Sequence, residues 1–229
     1  MTSTLTLHHV PASRSFRIIW LIEEMRAAGV ALPDLDIETY AITDGSLRNA
    51  DFLTRSPAGR VPALDVNGIS LCESGAIVEY LCETHPEAGL APAVGTAQRP
   101  AYLQWVHFAE TMASLIANLN MQYLFLRDPS MRSQAVLKME ARRLEACVAA
   151  IEAAVTGQDW VLDSGFSAVD CMLGFNLSAV PYFVKLDAYP IVRSYIARME
   201  ARPAYQAARD LDGPQTFYSR DFYAPDDAD

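Results

Sequence analysis

A chain of 229 residues exceeds the usual size of one domain, about 100 to 150 residues, and is short for three, so two domains are expected. With 51% of its residues hydrophobic and 20% charged, it has ample apolar area for packed cores, which argues against a disordered chain. The formal net charge of -10 opposes attraction to nucleic-acid phosphates or anionic membrane surfaces.

Taken in order, the opening Met1-Thr-Ser-Thr-Leu5 lacks the basic end and long apolar stretch of a signal peptide, and no run of about 18 apolar residues follows. The expectation is a cytoplasmic protein with no membrane partner and no nucleic-acid partner. Leu5-Thr-Leu7-His8-His9 reads as a short strand. Its two histidines point to opposite faces, which is wrong for a shared metal ion. Phe16 to Met25 carries the dense apolar face of a helix closed by Gly29. Leu35-Asp-Ile37-Glu-Thr39 alternates like a half-buried strand.

Ala63-Leu64-Asp-Val66 and Ile69-Ser-Leu71-Cys72 flank Asn67-Gly68, the dipeptide suited to the positive φ angles of a tight hairpin. A helix from Ser74 should end at His85, because the residue before Pro86 avoids helical angles. The Pro- and Gly-rich stretch 86–98 reads as a linker between a domain at 1–85 and one at 99–229. Beyond it only helical patterns occur, at about 100–127, 130–155, 168–183, 190–201 and 204–209. Ser167-Ala-Val-Asp170 has the spacing of a capping box. An aromatic tail, residues 213–229, should wrap over the surface.

Cys72, Cys82, Cys147 and Cys171 form no C-x-x-C pair, and they read as small apolar residues rather than redox or zinc ligands. No metal is expected. The chemistry lies instead in Ser56-Pro57-Ala58-Gly59-Arg60-Val61-Pro62 and Glu73-Ser74-Gly75-Ala76-Ile77. A cis Val61–Pro62 bond would leave the Val61 backbone free to pair with an extended peptide. Glu73 can accept from an ammonium group, while Ser74 and the first N–H groups of its helix suit a carboxylate. A ligand with an amino-acid head and a short peptide body fits both pieces. Taken alone, Glu73 and Ser74 could equally be no more than a helix cap.

In these segments and in the helical second half, the chain resembles the glutathione transferase superfamily. The resemblance implies a thioredoxin-like βαβαββα domain followed by an all-α domain, with glutathione as co-substrate. It implies that Val61, beside cis Pro62, pairs with the cysteinyl backbone, that Glu73 and Ser74 hold the γ-glutamyl group, and that Arg60 approaches the glycyl end. Ser56 and Arg60 depart from the asparagine and lysine common in the family. A thiol-activating residue is implied between the first strand and helix. Ser13 is the first choice there, Ser15 the second, and a backbone or water contact remains open; either serine could instead simply cap the helix.

A hydroxyl donating to the sulfur and the positive end of the first helix would both favour the thiolate. A free thiol, with a pKa of about 8.5, is only slightly ionised at neutral pH. An electrophile could lie on Trp105, Phe108 and Met112, although such a stripe at helical spacing also suits a core. The implied function is conjugation of glutathione to a hydrophobic electrophile, in detoxification, by a homodimer. Glutathione-dependent reduction or ether cleavage would favour a cysteine near Ser13, where this chain has none. The alternative of a different class is a non-catalytic ligand-binding or protein-interaction protein on the same fold.

Overall fold

The computed structural model describes residues 5–225. Residues 1–4, on which part of the reading of the amino-terminus rests, and the last four of the tail lie outside that range. The chain divides into two compact units: residues up to Thr96 together with Arg202–Gln215, and Ala97–Ala201 together with the residues from Thr216 on. Residues 202–215, which the sequence pattern groups with the helical half, therefore belong with the sheet.

The first unit holds strands β1 (Leu5–His9), β2 (Leu35–Thr39), β3 (Ala63–Val66) and β4 (Ile69–Cys72), with helices α1 (Phe16–Ala27), α2 (Ala50–Arg55) and α3 (Ser74–Thr84). The sheet order is β2-β1-β3-β4; β1 and β2 run parallel, and the other pairs are antiparallel. This βαβαββα order is the thioredoxin-like domain anticipated above. The hairpin turns at Asn67 and Gly68, both at positive φ (51° and 82°), as a two-residue loop with right-handed strand twist requires.

From Phe16 to Ile22 every residue of α1 is buried, more than one amphipathic face explains. The reason is α8 (Pro203–Asp212), which packs on α1. Tyr205 meets Trp20 edge-to-face with centroids 4.9 Å apart, and Arg202 grips the buried Glu24 with two bonds of 2.6 Å. Glu24 also accepts from the Trp20 indole at 2.9 Å, so the pairing satisfies a charge that burial would otherwise penalise.

The second unit is helical: α4 (Arg99–Asn120), α5 (Gln134–Ala154), α6 (Ala168–Ala179) and α7 (Pro190–Glu200). Two expected helices end early for identifiable reasons. A π-helical turn, Met121–Phe125, interrupts the first, and Pro181, which has no N–H to donate, converts the end of α6 into a single 3-10 turn. The capping box forms: Asp170 accepts from the Ser167 N–H at 2.7 Å. Its other carboxylate oxygen accepts from Tyr195 of α7, so one buried acid starts α6 and ties it to its neighbour. Asn176 ties α6 to α4 through the Ala109 carbonyl at 2.7 Å. The tail stacks Tyr218 on Tyr182 at 4.0 Å and buries Tyr223 among Tyr123 and Phe183. Among the described residues no helix is long and apolar enough to cross a membrane.

Candidate functional site

Strand register brings the predicted residues to one end of the sheet. His8 of β1 lies opposite Ala63, and Ala63 lies opposite Cys72, so the residues beyond those pairs converge. These are His9 onward from β1, Val61–Pro62 entering β3, and Glu73–Ser74 leaving β4.

The loop after β1 folds tightly. Ala12 takes a positive φ of 54°, the Ser13 N–H donates to the Val10 carbonyl at 3.2 Å, and the Ser13 carbonyl receives the Phe16 N–H at 3.0 Å. Ser13 is half-buried and Ser15 is fully buried. The two hydroxyls lie 2.7 Å apart. Behind them the Ser15 hydroxyl is 2.7 Å from Nδ1 of His9, itself 1% exposed, and His9 Nε2 is 3.0 Å from the backbone carbonyl of Asp212. The Asp212 side chain accepts from the Ala12 N–H at 3.2 Å and from Arg209 at 3.2 Å, which fixes the loop from the far end of the chain. Burial holds the imidazole of His9 below the usual histidine range, an effect the Asp212 carbonyl partly offsets. Burial also pushes the Asp212 carboxyl up to about 6, against the pull of Arg209.

The peptide bond Val61–Pro62 is cis. Ahead of it, buried Ser56 shapes the turn: its hydroxyl receives the Arg60 N–H at 3.2 Å and its carbonyl the Gly59 N–H at 2.8 Å. A serine therefore fills a structural place here, and the Arg60 side chain is exposed. Gly59 has a φ of 62°, and a Cβ on it would lie 2.8 Å from the Leu47 carbonyl, so this turn requires glycine. Glu73 is exposed with φ 71° and ψ 112°, a conformation that costs about 1 to 3 kcal/mol and persists only where the surroundings enforce it. It delivers the chain into α3, whose first N–H groups lack helical partners. Ser74, buried at the first turn, receives a 2.8 Å bond from the guanidinium of Arg17, which α1 carries into the interior.

Of the aromatic stripe on α4, Met112 is fully buried, while Trp105 and Phe108 are partly exposed and meet edge-to-face at 5.0 Å. A cavity of about 310 Å³ opens elsewhere in the same unit, at the far end of α4. Tyr123, Leu124, Arg132, Phe217, Ser219, Arg220 and Tyr223 line it. It combines aromatic walls with two guanidinium groups. The sequence pattern marked none of its residues as pocket residues, because four of the seven come from a tail without periodicity. His9 was read only as one of a histidine pair unfit for a metal, and Arg17 and Asp212 went unnamed, because an adjacent histidine pair and an acid in the last helix carry no signal of a site. Only Arg17 offered one, since an arginine amid Phe16, Ile18 and Ile19 needs a buried partner.

Residues 3–83 match the family model described as glutathione S-transferase, N-terminal domain. Over 221 residues the chain is 24% identical to glutathione S-transferase 3 of Schizosaccharomyces pombe, covering 90% of this chain and 87% of that one. It is 29% identical over 207 residues to a maleylacetoacetate isomerase of Pseudomonas aeruginosa, covering 82% and 90%. Among solved structures, a glutathione transferase from Methylococcus capsulatus superposes with a TM-score of 0.76 at 27% identity, over 91% of this chain and 98% of that one. A sphingomonad glutathione S-transferase complexed with glutathione gives 0.75 at 26% identity, over 90% and 98%. Taken with the sheet order and the convergence of the β1, β3 and α3 ends, these matches identify residues 3–83 as a glutathione S-transferase N-terminal domain and make the chain similar to glutathione transferases over about nine-tenths of its length.

Proposed function

We propose that this protein binds glutathione at the end of its sheet and directs the thiolate onto an electrophilic carbon, with Ser13 as the hydroxyl facing the sulfur. The observation that carries the reading is the convergence of a half-buried Ser13, the cis Val61–Pro62 backbone and the Glu73–Ser74 entry to α3. Val61 pairs with the cysteinyl backbone, Glu73 receives the γ-glutamyl ammonium, and Ser74 with the start of α3 takes its carboxylate. Arg17 adds positive charge behind Ser74. Arg60, exposed beside the turn, is free to reach the glycyl carboxylate. In this arrangement Ser13 is a hydrogen-bonding partner of the sulfur and forms no covalent bond.

Within the helical unit two places could receive an electrophile, the Trp105, Phe108 and Met112 stripe and the cavity around Tyr123 and Tyr223. In a chain of net charge -10, a pocket holding Arg132 and Arg220 between aromatic rings favours an aromatic or unsaturated compound bearing a carboxylate. This favours a second reading in which the thiolate adds reversibly to a conjugated double bond and leaves again after rotation, so that the product is an isomer. One relative is named a maleylacetoacetate isomerase.

Calorimetry with glutathione, followed by turnover of electrophiles matched with and without a carboxylate, tests both readings. Binding that weakens about tenfold or more in Glu73→Gln is expected, in line with roughly 1.5 to 3 kcal/mol for a hydrogen bond to a charged group. Arg220→Gln should raise KM for the carboxylate series alone. Glutathione binding without turnover of either series would move the protein to the non-catalytic class.

A further inference from the structure

Behind Ser13 the hydroxyl chain does not end in solvent; it ends on an imidazole whose orientation is fixed. The Asp212 carbonyl 3.0 Å from His9 Nε2 can only accept, so Nε2 carries a proton, and Nδ1 of a neutral His9 must accept from Ser15 at 2.7 Å. Ser15 then has no proton left for Ser13, and Ser13 must donate inward across their 2.7 Å contact. In that state the Ser13 oxygen faces the site with lone pairs, which suits a neutral S–H and not a thiolate. The hydroxyls can turn outward together only if Nδ1 acquires a proton.

Resting on the glutathione reading above, we propose that His9 is the acceptor of the glutathione thiol proton, acting through Ser15 and Ser13 as a two-hydroxyl relay. The step balances. The S–H proton moves to Ser13 Oγ as the Ser13 proton moves to Ser15 Oγ and the Ser15 proton moves to His9 Nδ1. Each hydroxyl loses one proton and gains one, the sulfur keeps the electron pair, and the imidazole becomes imidazolium. Afterwards every donor points outward, His9 to Ser15, Ser15 to Ser13, and Ser13 to the thiolate.

The groups facing His9 suit the charge it would gain. From α8 come Asp212, with a carboxylate oxygen 3.8 Å from Nε2, and Arg209, which is paired to that carboxylate at 3.2 Å. From β2 the register partner is uncharged Thr39, and the α1 side contributes Ser15. Burial makes the empty-site imidazole a weak base, so His9 stays neutral until a thiolate forms to attract the proton. His9 does not touch the sulfur; it is a positioning residue whose effect is read through protons.

The test compares two quantities on the whole protein: thiolate formed on binding glutathione, from its ultraviolet absorbance, and protons released, from calorimetry in buffers of different ionisation enthalpy. Wild type at neutral pH should form thiolate with almost no proton release. ¹⁵N resonances of His9 should report Nδ1 protonation with glutathione and not with S-methylglutathione. Ser15→Ala, which cuts the relay while keeping both ends, should either lose the thiolate or release about one proton for each thiolate formed. Release of a full proton per thiolate by wild type, or identical His9 resonances with the two ligands, would overturn the relay and leave the glutathione site standing. Failure to bind glutathione at all would overturn both. The wild-type measurements decide the matter even if Ser15→Ala does not fold.

Discussion

Asp170 in the helical unit and Asp212 at the end of α8 are both withdrawn from solvent, at 0% and 1% exposure, and in both cases burial pushes the carboxyl up to about 6. Each accepts a backbone N–H together with side-chain donors: the Ser167 N–H with the Ser167 and Tyr195 hydroxyls for Asp170, the Ala12 N–H with Arg209 for Asp212. The surroundings differ in one respect. The network of Asp170 closes on itself inside the helices, whereas that of Asp212 continues through His9 and Ser15 to a half-buried hydroxyl. The same local chemistry serves folding where it is sealed and can serve reactivity where one end is open.

The largest expected effect lies on the sealed side. Asp170→Ala removes the α6 cap and leaves the Tyr195 hydroxyl and the Ser167 N–H buried without an acceptor. About 4 kcal/mol should be lost, read from urea denaturation of wild type and variant. Next is the pH dependence of that stability. The folded pKa of Asp170 lies above the value near 3.8 expected in the unfolded chain, so the native state binds more protons between about pH 4 and 6. Stability from this group is therefore greatest below that window and falls as pH rises through it, by roughly 3 kcal/mol in all. Asp170→Asn should flatten the denaturation midpoint across the same range. An unchanged slope would show that the buried carboxyl does not titrate there.

On the open side, Ser13→Ala should alter stability by less than about 0.5 kcal/mol, as for other partly exposed substitutions. It should lower kcat/KM for conjugation about 100-fold, since a thiol pKa two units higher corresponds to roughly 2.7 kcal/mol. If Ser13→Ala destabilised the protein as much as Asp170→Ala, the contrast between the two networks would collapse. The smallest effect belongs to the turn that presents Val61. Gly59→Ala, forced to hold φ near 62° against the Leu47 carbonyl, should cost about 1 to 2 kcal/mol by thermal or urea unfolding. Calorimetry on the same variant would show weaker glutathione binding if the turn positions Val61.

Much of the sheet unit was legible because local signals coincide with tertiary ones there. Asn67-Gly68 dictates its hairpin, Pro86 stops α3, and alternation marks β2, so these elements could be read within a few residues, whereas α2 was implied only by the family resemblance. The helical unit was readable in outline, and Ser167 to Asp170 form the capping box their spacing implies. Periodicity alone could not foresee the π turn at Met121–Phe125. In the candidate site, Ser13, Val61, Pro62, Glu73 and Ser74 stand at one sheet end, where strand order brings them. The role of His9 was invisible, because its meaning depends on a carbonyl 203 residues away. Ser15, the second choice for the thiol contact, is fully buried with its hydroxyl 2.7 Å from that of half-buried Ser13.

The return of α8 to α1 also sets a timetable for synthesis. Glu24 waits 178 residues for Arg202, and Phe16 and Trp20 lack the aromatic cover of Tyr205 until the segment that carries it has been made. At about 5 to 20 residues per second, that leaves an apolar helix face open for on the order of ten seconds or longer. The sheet unit is thus completed only after Arg202–Gln215 has been made, and until then the nascent chain carries an uncovered apolar helix face.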